Sequence, residues 1–329
     1  MQTLLSLFLL VVSLSSTALC QTYAEKLGFP KGAKVVILHV DDVGMSYDSN
    51  QGAIQATEQG VATSMSVMMP CPWVPGFLHY LKTHPKTDAG VHLTLTAEWQ
   101  DYRWGPVAGK PSVPGLLDPE GALWPAVADV AKHASPAEVS MEIRSQLDRA
   151  RTMGFEPTHL DTHMGTLFAT AGFLEEYLKL GIEQHIPVMF PGGHNTMILK
   201  EESSSGLTIQ QTTAIGERLW AAGLPVLDDL HNVSYGFHYP KDLTLTDQQL
   251  QQLSTDQYLA SFRQLQPGVT MVIMHCTATT EVFKQISNSG NTRRGDLLAM
   301  LSPKLRQYLA ANGIVLTTWR ELKSRRDKL

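Results

Sequence analysis

The segment KVVILHVDDVG, residues 34–44, is an apolar run that ends on two neighbouring aspartates, Asp41 and Asp42. An uninterrupted run of aliphatic residues of this length predicts a β-strand. Adjacent residues of a strand point to opposite faces, so one carboxylate at its end can bind a metal while the other accepts a proton. The alternative is that one of the two aspartates caps the helix that follows.

Two histidines stand in apolar runs further along the chain. His92 lies within the strand-like residues 89–95, and His275 ends the run 269–275. A histidine in an apolar strand must be satisfied by a partner or by a metal. Each of them alone is more simply explained as a core histidine. Polar side chains at the same end of several strands, however, indicate one site at the rim of an α/β barrel or sheet.

His159, Asp161 and His163 are spaced at i, i+2 and i+4 around the end of another predicted strand. On an extended segment they share one face. A metal-binding histidine commonly donates its second ring nitrogen to a carboxylate, and Asp161 is available to accept such a bond. Together with the paired aspartates, these imidazoles indicate a divalent metal and a hydrolytic reaction.

Strand-like and helix-like segments alternate along the chain, which predicts an α/β fold. The alternation favours a distorted (β/α) TIM-like barrel in a single domain, and an open doubly wound sheet is the alternative. The predicted strands are residues 34–40, 62–69, 89–95, 157–161, 186–190, 225–228, 269–275 and 313–318. The predicted helices are residues 49–59, 74–83, 136–153, 171–184, 208–222, 255–265 and 296–311.

The first twenty residues resemble a signal peptide, with an apolar core at residues 4–12 and cleavage after Cys20. This predicts a mature domain of residues 21–329 that is secreted or periplasmic. A lipid anchor on Cys20 is less favoured, because Thr17 stands where a lipobox prefers leucine. No later segment is long and apolar enough to cross a membrane.

The composition argues against several classes of protein. The chain has 329 residues and a net charge of −5, and its only basic run is residues 320–328, which argues against a nucleic-acid partner. No Gly-x-Ser-x-Gly motif and no phosphate-binding glycine loop occurs, so covalent serine catalysis and nucleotide binding are disfavoured. Cys71 and Cys276 are not a disulfide framework, and a single bridge between them is the less favoured alternative.

Residues 96–135 depart from the alternation of strands and helices. The segment is rich in glycine and proline, and a loop this long in a compact domain is usually functional. Its aromatic side chains could stack on sugar rings, with residues 109–111 as part of a lid. The alternative is a packed loop with an aromatic core of its own. The aromatic residues concerned are Trp99, Tyr102, Trp104 and Trp124.

For other polar residues the sequence gives less support for a role in the site. The remaining histidines, including His39, are interpreted as structural or surface residues, with His194 as the strongest exception. Asp228 and Asp229 follow a predicted strand and either join the site or cap a helix.

Four ordered motifs resemble those of the YdjC-like family of carbohydrate deacetylases, to which the chitooligosaccharide deacetylases belong. The family has Asp-Asp-Phe-Gly followed by a serine, then Gly-x-His, then Gly-Lys-Pro before Pro-Gly-Leu, then Pro-Thr-His-Leu-Asp-Ser-His. The corresponding residues here are 41–46, 90–96, 109–116 and 157–163. The chain departs from the family at residues 164–167, where a histidine-rich continuation is missing, and at residues 274–277, which replace Cys-His-Pro-Gly.

The resemblance implies a distorted (β/α) barrel that removes acetyl groups from N-acetylated sugars or oligosaccharides. It also implies a divalent metal, Mg²⁺ or Zn²⁺, held by Asp42, His92 and His163, with Asp41 as the base. His275 is the candidate for the group that protonates the departing amine, and Asp161 completes the predicted catalytic set.

Two other functions fit the same residues. One is another metal-dependent hydrolase on this barrel, such as an O-acetyl esterase or a different amide or ester hydrolase. The other is a secreted glycan-binding protein that has lost catalysis, against which the retention of both aspartates argues. The sequence leaves the oligomeric state open and allows a homodimer.

Overall fold

The computed structural model describes residues 21–201, 207–232, 234–240 and 244–329. Residues 1–20, for which the sequence predicts a signal peptide, lie outside this part of the chain. The described residues form an α/β fold with one parallel sheet. Among their helices, none has the length and apolar character that a membrane span needs.

The sheet contains seven strands among the described residues. They are β1 (Lys34–Val43), β2 (Ser64–Val67), β3 (Ala89–Leu93), β4 (Leu160–Thr162), β5 (Asp229–His231), β6 (Gly268–Met274) and β7 (Val315–Leu316). The order across the sheet is β4-β3-β2-β1-β6-β5, and β7 pairs with the start of β1. The central strand β1 is buried from its second residue to its last, as a parallel strand covered on both faces must be.

Regular pairing stops between β4 and β5. Two of the predicted strands, residues 186–190 and 225–228, form only isolated parallel bridges, Leu160 with Val188 and Pro191 with Leu227. The regular strands therefore make a half-barrel in a single domain. This agrees with the prediction of a distorted barrel, but the fold is not a full, closed TIM barrel.

Twelve helices accompany the strands in the described residues. They are α1 (Tyr23–Lys26), α2 (Tyr47–Glu58), α3 (Val74–Thr83), α4 (Val127–His133), α5 (Pro136–Thr152), α6 (Ala171–Gln184), α7 (Ile198–Glu201), α8 (Ile209–Ala221), α9 (Asp247–Phe262), α10 (Gly290–Met300), α11 (Pro303–Ala311) and α12 (Trp319–Arg326). Short 3₁₀ turns occur at Pro114–Leu116, His163–Phe168, Ser234–Gly236 and Phe283–Gln285.

Capping residues explain where the helices begin. Ser135 and Glu138 form a reciprocal capping box that starts α5, as the sequence predicts. The predicted helix 296–311 is two helices, α10 and α11, because Ser302 caps a new start and Pro303 occupies the first turn. Thr246 likewise starts α9 well before the predicted residue 255.

The carboxylates of Asp228 and Asp229 accept hydrogen bonds from backbone amides and do not face the site. Asp228 accepts hydrogen bonds from the amides of Tyr23 and Ala24 at 2.8 and 3.0 Å, and so fixes the first turn of α1. Asp229 accepts from the amide of Met197 at 2.8 Å, next to α7. Neither lines the cavity described below, which agrees with the capping interpretation and not with a role in the site.

The two cysteines of the described residues, Cys71 and Cys276, are both free and buried. The alternative of a disulfide bridge between Cys71 and Cys276 is therefore wrong. Burial raises the pKa of both thiols well above their ordinary value, so they remain protonated at neutral pH.

Candidate metal centre

Three buried side chains bring their donor atoms together at the carboxyl ends of the strands. Asp42 Oδ1 lies 3.4 Å from His92 Nε2 and 3.2 Å from His163 Nδ1, and the two nitrogens are 3.3 Å apart. Donors bound to one cation at roughly 2.0–2.2 Å with tetrahedral angles are about 3.3–3.6 Å apart. The triangle has nearly the size that a bound metal requires.

A turn in the left-handed region brings Asp42 into this triangle. The register of β1 against β2 shifts between Val40 and Val43, and Asp42 has a φ of 64°. A non-glycine residue in this region costs roughly 1–2 kcal/mol. Gly44, with a φ of 87°, completes the turn, and a Cβ there would lie 2.7 Å from Val74 Cγ2. The chain thus accepts backbone strain to bring the carboxylate of Asp42 to the two imidazoles.

The two oxygens of Asp42 have different surroundings. Oδ2 accepts a hydrogen bond from Arg293 Nη2 at 2.6 Å, whereas Oδ1 is buried and has no hydrogen-bond partner in the described structure. Burial alone would raise the pKa of Asp42, but Arg293 and the two imidazoles hold it well below its ordinary value. Oδ1 instead faces the two imidazole nitrogens of the triangle, a position that suits the coordination of a cation.

Carboxylates fix the orientation of both imidazoles. Asp161 Oδ1 lies 2.8 Å from His92 Nδ1, and both carboxylate oxygens of Glu98 lie 3.1 Å from His163 Nε2. When these nitrogens donate to the carboxylates, the lone pairs of His92 Nε2 and His163 Nδ1 remain for a metal. The donor set therefore fits a divalent cation in two respects: the distances between the donor atoms, and the carboxylates that orient the imidazoles.

Without a cation, the same carboxylates favour protonated imidazoles. Burial disfavours the imidazolium, but Glu98 and Asp42 outweigh it and raise the pKa of His163 to about 9. For His92 as well, burial is outweighed, by Asp161 and Asp41, and its pKa is raised well above the ordinary value. A metal entering the site must therefore displace protons.

Asp41 lies at the edge of the triangle and lines the cavity. Its Oδ2 is 3.8 Å from His92 Nε2, and its Oδ1 is 3.1 Å from His39 Nε2. With 7% of its surface exposed, it is accessible from the cavity. A carboxylate in this position can accept a proton from a molecule held beside the donor triangle.

His39 is part of this network, which the sequence interpretation missed. It is fully buried, and besides Asp41 its Nε2 contacts Asp161 Oδ2 at 2.8 Å, while its Nδ1 contacts Ser64 Oγ at 3.0 Å. Burial would lower the pKa of His39, but its two carboxylate partners raise it to about 9. The strand period contained the signal, because residues 39 and 41 face the same side of β1.

His275 lies at the carboxyl end of β6 and lines the same cavity. Its ring packs edge-on against Tyr235 at 4.7 Å, and its buried Nδ1 has no hydrogen-bond partner in the described structure. Burial lowers the pKa of His275 to about 4, so the imidazole is neutral at pH 7. Its backbone amide donates to Asp296 Oδ2 at 2.9 Å, which fixes the end of the strand.

His159 does not share a face of the cavity with His163. Its ring stacks on Trp319 at 5.3 Å, and its Nδ1 lies 3.0 Å from Thr158 Oγ1. The extended segment is shorter than predicted: β4 ends before His163, and Met164 then has a φ of 52°. His163 therefore follows the carboxyl end of β4 and enters the site, whereas His159 precedes the strand and lies in the core. His194 is not among the residues that line the cavity.

The cavity beside the donor triangle has a volume of about 830 Å³. Of the aromatic residues in the loop 96–135, only Trp99 lines it. Trp104 is buried and donates to Thr96 O at 3.0 Å, and Trp124 donates to Gly115 O at 2.9 Å. The packed-loop alternative therefore describes Trp104 and Trp124, and the predicted lid at residues 109–111 does not reach the cavity.

Two charged residues of the site carried no recognisable signal in the sequence. Arg293 is buried in α10 and reaches Asp42 from 251 positions along the chain. Glu98 follows β3 in the irregular loop. Both act on the metal-binding triangle through long-range packing, which local patterns do not encode.

Comparisons with known proteins show which family the chain is similar to. The model of the family described as YdjC-like protein matches residues 35–311. A carbohydrate deacetylase of Thermus thermophilus is 28% identical over 299 residues, covering 91% of this chain and 97% of that protein. A carbohydrate deacetylase of Brevibacillus brevis is 27% identical over 290 residues, covering 87% and 99%.

A solved structure has a similar fold. It is an Enterococcus faecalis protein proposed to cleave cellobiose phosphate, and it aligns with a TM-score of 0.68 and 20% identity. The alignment covers 88% of this chain and 99% of that one. At this identity the likeness concerns the fold alone.

Proposed function

The chain belongs to the YdjC-like protein family, and we propose that it is a metal-dependent hydrolase that removes acetyl groups from N-acetylated sugars or oligosaccharides. Relatives named carbohydrate deacetylase support an enzyme that hydrolyses amides. The observation that supports the metal dependence is the donor triangle of Asp42, His92 and His163, in which the buried Oδ1 of Asp42 faces both imidazoles.

The proposed cofactor is one divalent cation. When bound, such an ion polarises an acetyl carbonyl and lowers the pKa of a water molecule to about 7. One carboxylate and two imidazoles leave coordination positions open, as a catalytic site requires. This mixed set of oxygen and nitrogen donors suits Zn²⁺, Mn²⁺ or Co²⁺ at least as well as Mg²⁺.

The chain's own residues have distinct proposed roles. Asp41 accepts the proton of the attacking water, since its Oδ2 lies near the donor triangle. Asp161 and Glu98 hold the imidazoles in the metal-binding tautomer. Arg293 keeps Asp42 ionised.

His275 is the proposed donor to the departing amine. It lines the cavity as a neutral imidazole at pH 7, so it must first take up the proton that it passes to the amine. Hydrolysis forms a bond between the water oxygen and the acyl carbon, breaks the bond between that carbon and the amide nitrogen, and transfers a proton from the water to the departing nitrogen.

The test is a deacetylation screen with the metal-loaded protein. Acetate release is measured from N-acetylglucosamine oligomers and, in parallel, from O-acetylated sugars, with the metal-free protein as control. We expect metal-dependent release from the N-acetylated sugars. Release from the O-acetylated sugars alone would assign the site to an esterase, and binding without turnover would contradict catalysis.

We further propose that the protein acts outside the cytoplasm, as the predicted signal peptide indicates. N-terminal sequencing of the protein purified from its own host should begin at Gln21. A chain that retains residues 1–20 in the cytoplasmic fraction would contradict this.

A further inference from the structure

The cavity has two walls of different chemistry. One wall comes from the ends of β1 and β3 and from the chain after β6, and it includes Glu98, Ser289 and Arg293. The second wall begins after β4 and runs through residues 189–191 to the ends of β5 and β6. We call this second wall the apolar arm. Its larger side chains are Phe168, Met189, Phe190, Ile198, Leu230 and Ile273.

The apolar arm lies where the sheet lacks regular strands. β4 and β5 are the two ends of the strand order. The chain between them bridges β4 once, through Val188 and Leu160, and bridges to itself once, through Pro191 and Leu227. A full pair of strands would close this gap with a hydrogen-bonded ladder. Here only a few backbone hydrogen bonds cross the gap, among them those from Met189 N to Leu160 O and from Gly192 N to Leu227 O. The side chains beside them line one cavity with the metal centre.

The arm offers few groups that a sugar hydroxyl could bind. Apart from His163 and His275 at the metal centre, its lining residues in the described structure carry no charge, and its polar members are Asn195, Thr212 and Asn232. Asn195 already donates to Thr212 Oγ1 at 3.0 Å. A hydroxyl that leaves water for an apolar wall without a new partner loses free energy, whereas an aliphatic group gains it.

We propose that the substrate is an acylated sugar that carries an aliphatic chain, and that the apolar arm binds this chain. The inference rests on the proposed function, because it places the sugar and its acyl bond at the metal centre. This aliphatic chain can belong to the acyl group that is removed or to an alkyl group on the sugar. Both sources supply the same chemistry to the arm.

Two series of probes distinguish the sources. In the first, glucosamine carries N-acyl groups from acetyl to octanoyl, and release of the free amine is measured. In the second, N-acetylglucosamine carries alkyl groups from methyl to octyl on its anomeric oxygen, and release of acetate is measured. Each buried methylene should raise kcat/KM by about two- to fourfold in the series whose chain enters the arm.

A substitution at the mouth of the arm provides the matched variant. Ala169 is exposed and lines the arm, so Ala169→Trp fills space there without replacing a core residue. It should bring the octanoyl-to-acetyl or octyl-to-methyl ratio of kcat/KM close to one. Ala137→Trp makes the same change on an exposed face of α5 away from the cavity, and should leave the wild-type ratio.

Binding of octyl and methyl β-glucosides to the metal-free protein, measured by calorimetry, is independent of turnover. Tighter binding of the octyl compound, lost in Ala169→Trp, supports the arm even if no probe is hydrolysed, and in that case only the proposed function fails. Metal-dependent hydrolysis with equal kcat/KM along both series, and equal binding of both glucosides, overturns the inference and leaves the deacetylase function standing.

Discussion

The two walls of the cavity are built in different ways. The metal-binding wall depends on regular strands, with Asp42 at the end of β1 and His92 within β3, and hydrogen-bonded carboxylates hold its imidazoles. The apolar arm depends on a stretch between β4 and β5 that pairs only by single bridges. Rigid elements hold the groups that must meet within tenths of an ångström, while irregular backbone leaves the space that selects the substrate.

This division predicts that substitutions on the metal-binding wall lower the rate of the chemical step. The largest loss should follow the removal of a metal ligand. His163→Ala removes one donor of the triangle, so bound metal and activity should be lost together. A loss on the order of 10³-fold or more in kcat is expected, because a bound cation supplies several kcal/mol of transition-state stabilisation. Metal content by elemental analysis and acetate release are measured on the same sample.

His159→Ala is the matched control for His163→Ala, since His159 lies in the same motif but in the core, stacked on Trp319. It should lower the melting temperature but retain metal. If His163→Ala kept a full complement of metal, the assignment of the donor triangle would be wrong.

Loss of the proposed base should have a different effect from loss of a metal ligand. Asp41→Asn keeps the shape of the side chain but cannot accept a proton, so turnover should fall by about 10²–10⁴-fold. Metal affinity should change little, because Asp41 is not a member of the triangle. Kinetics with saturating metal, together with a metal titration, measure the two effects. Near-normal turnover would move the base role to another residue.

Changes to the supporting carboxylates should have smaller effects. Glu98→Gln removes the charge that orients His163, and the loss of metal affinity should be about 10–100-fold. Glu120→Gln, at an exposed carboxylate of the same loop, serves as control. An unchanged affinity in Glu98→Gln would show that His163 does not need this partner.

The pH dependence of metal binding should be the most gradual effect. In the metal-free protein the pKa of His163 is raised to about 9, so a proton occupies the metal-binding position below that pH. Apparent metal affinity should therefore rise with pH up to about 9, by about tenfold per unit for each displaced proton. Titrations at several pH values test this; an affinity independent of pH between 6 and 9 would contradict it.

The same pKa shift has a consequence for stability. Because the folded pKa of His163 is raised, the stabilisation from its ion pairs is fully present below the ordinary pKa of 6.5 and is lost as pH rises through 9. The free energy of unfolding of the metal-free protein should fall over that range. A constant value across it would indicate that the imidazole is neutral throughout.

The sequence was most informative where residues follow the strand period. The sequence predicted β1 and predicted that polar residues at the strand ends share one rim. Asp41, Asp42 and His92 do line one cavity. The different positions of His159 and His163 were not predictable, because the residue pattern does not show that β4 has only three residues and lies between them.

Long-range contacts limited the remaining predictions. The contact between Arg293 and Asp42 joins residues from opposite ends of the chain. The barrel wall failed to close at residues 186–190 and 225–228, although both segments are apolar enough to be strands. Whether such a segment forms a ladder or a single bridge depends on tertiary packing, which overrides local propensity.

The most direct test of the metal centre is X-ray absorption spectroscopy of the zinc-loaded protein, combined with a crystal structure measured at the zinc edge. The account predicts one cation bound by Asp42, His92 and His163 at about 2.0–2.2 Å. Zinc bound elsewhere, or no zinc retained at neutral pH while these three side chains keep their positions, would contradict it.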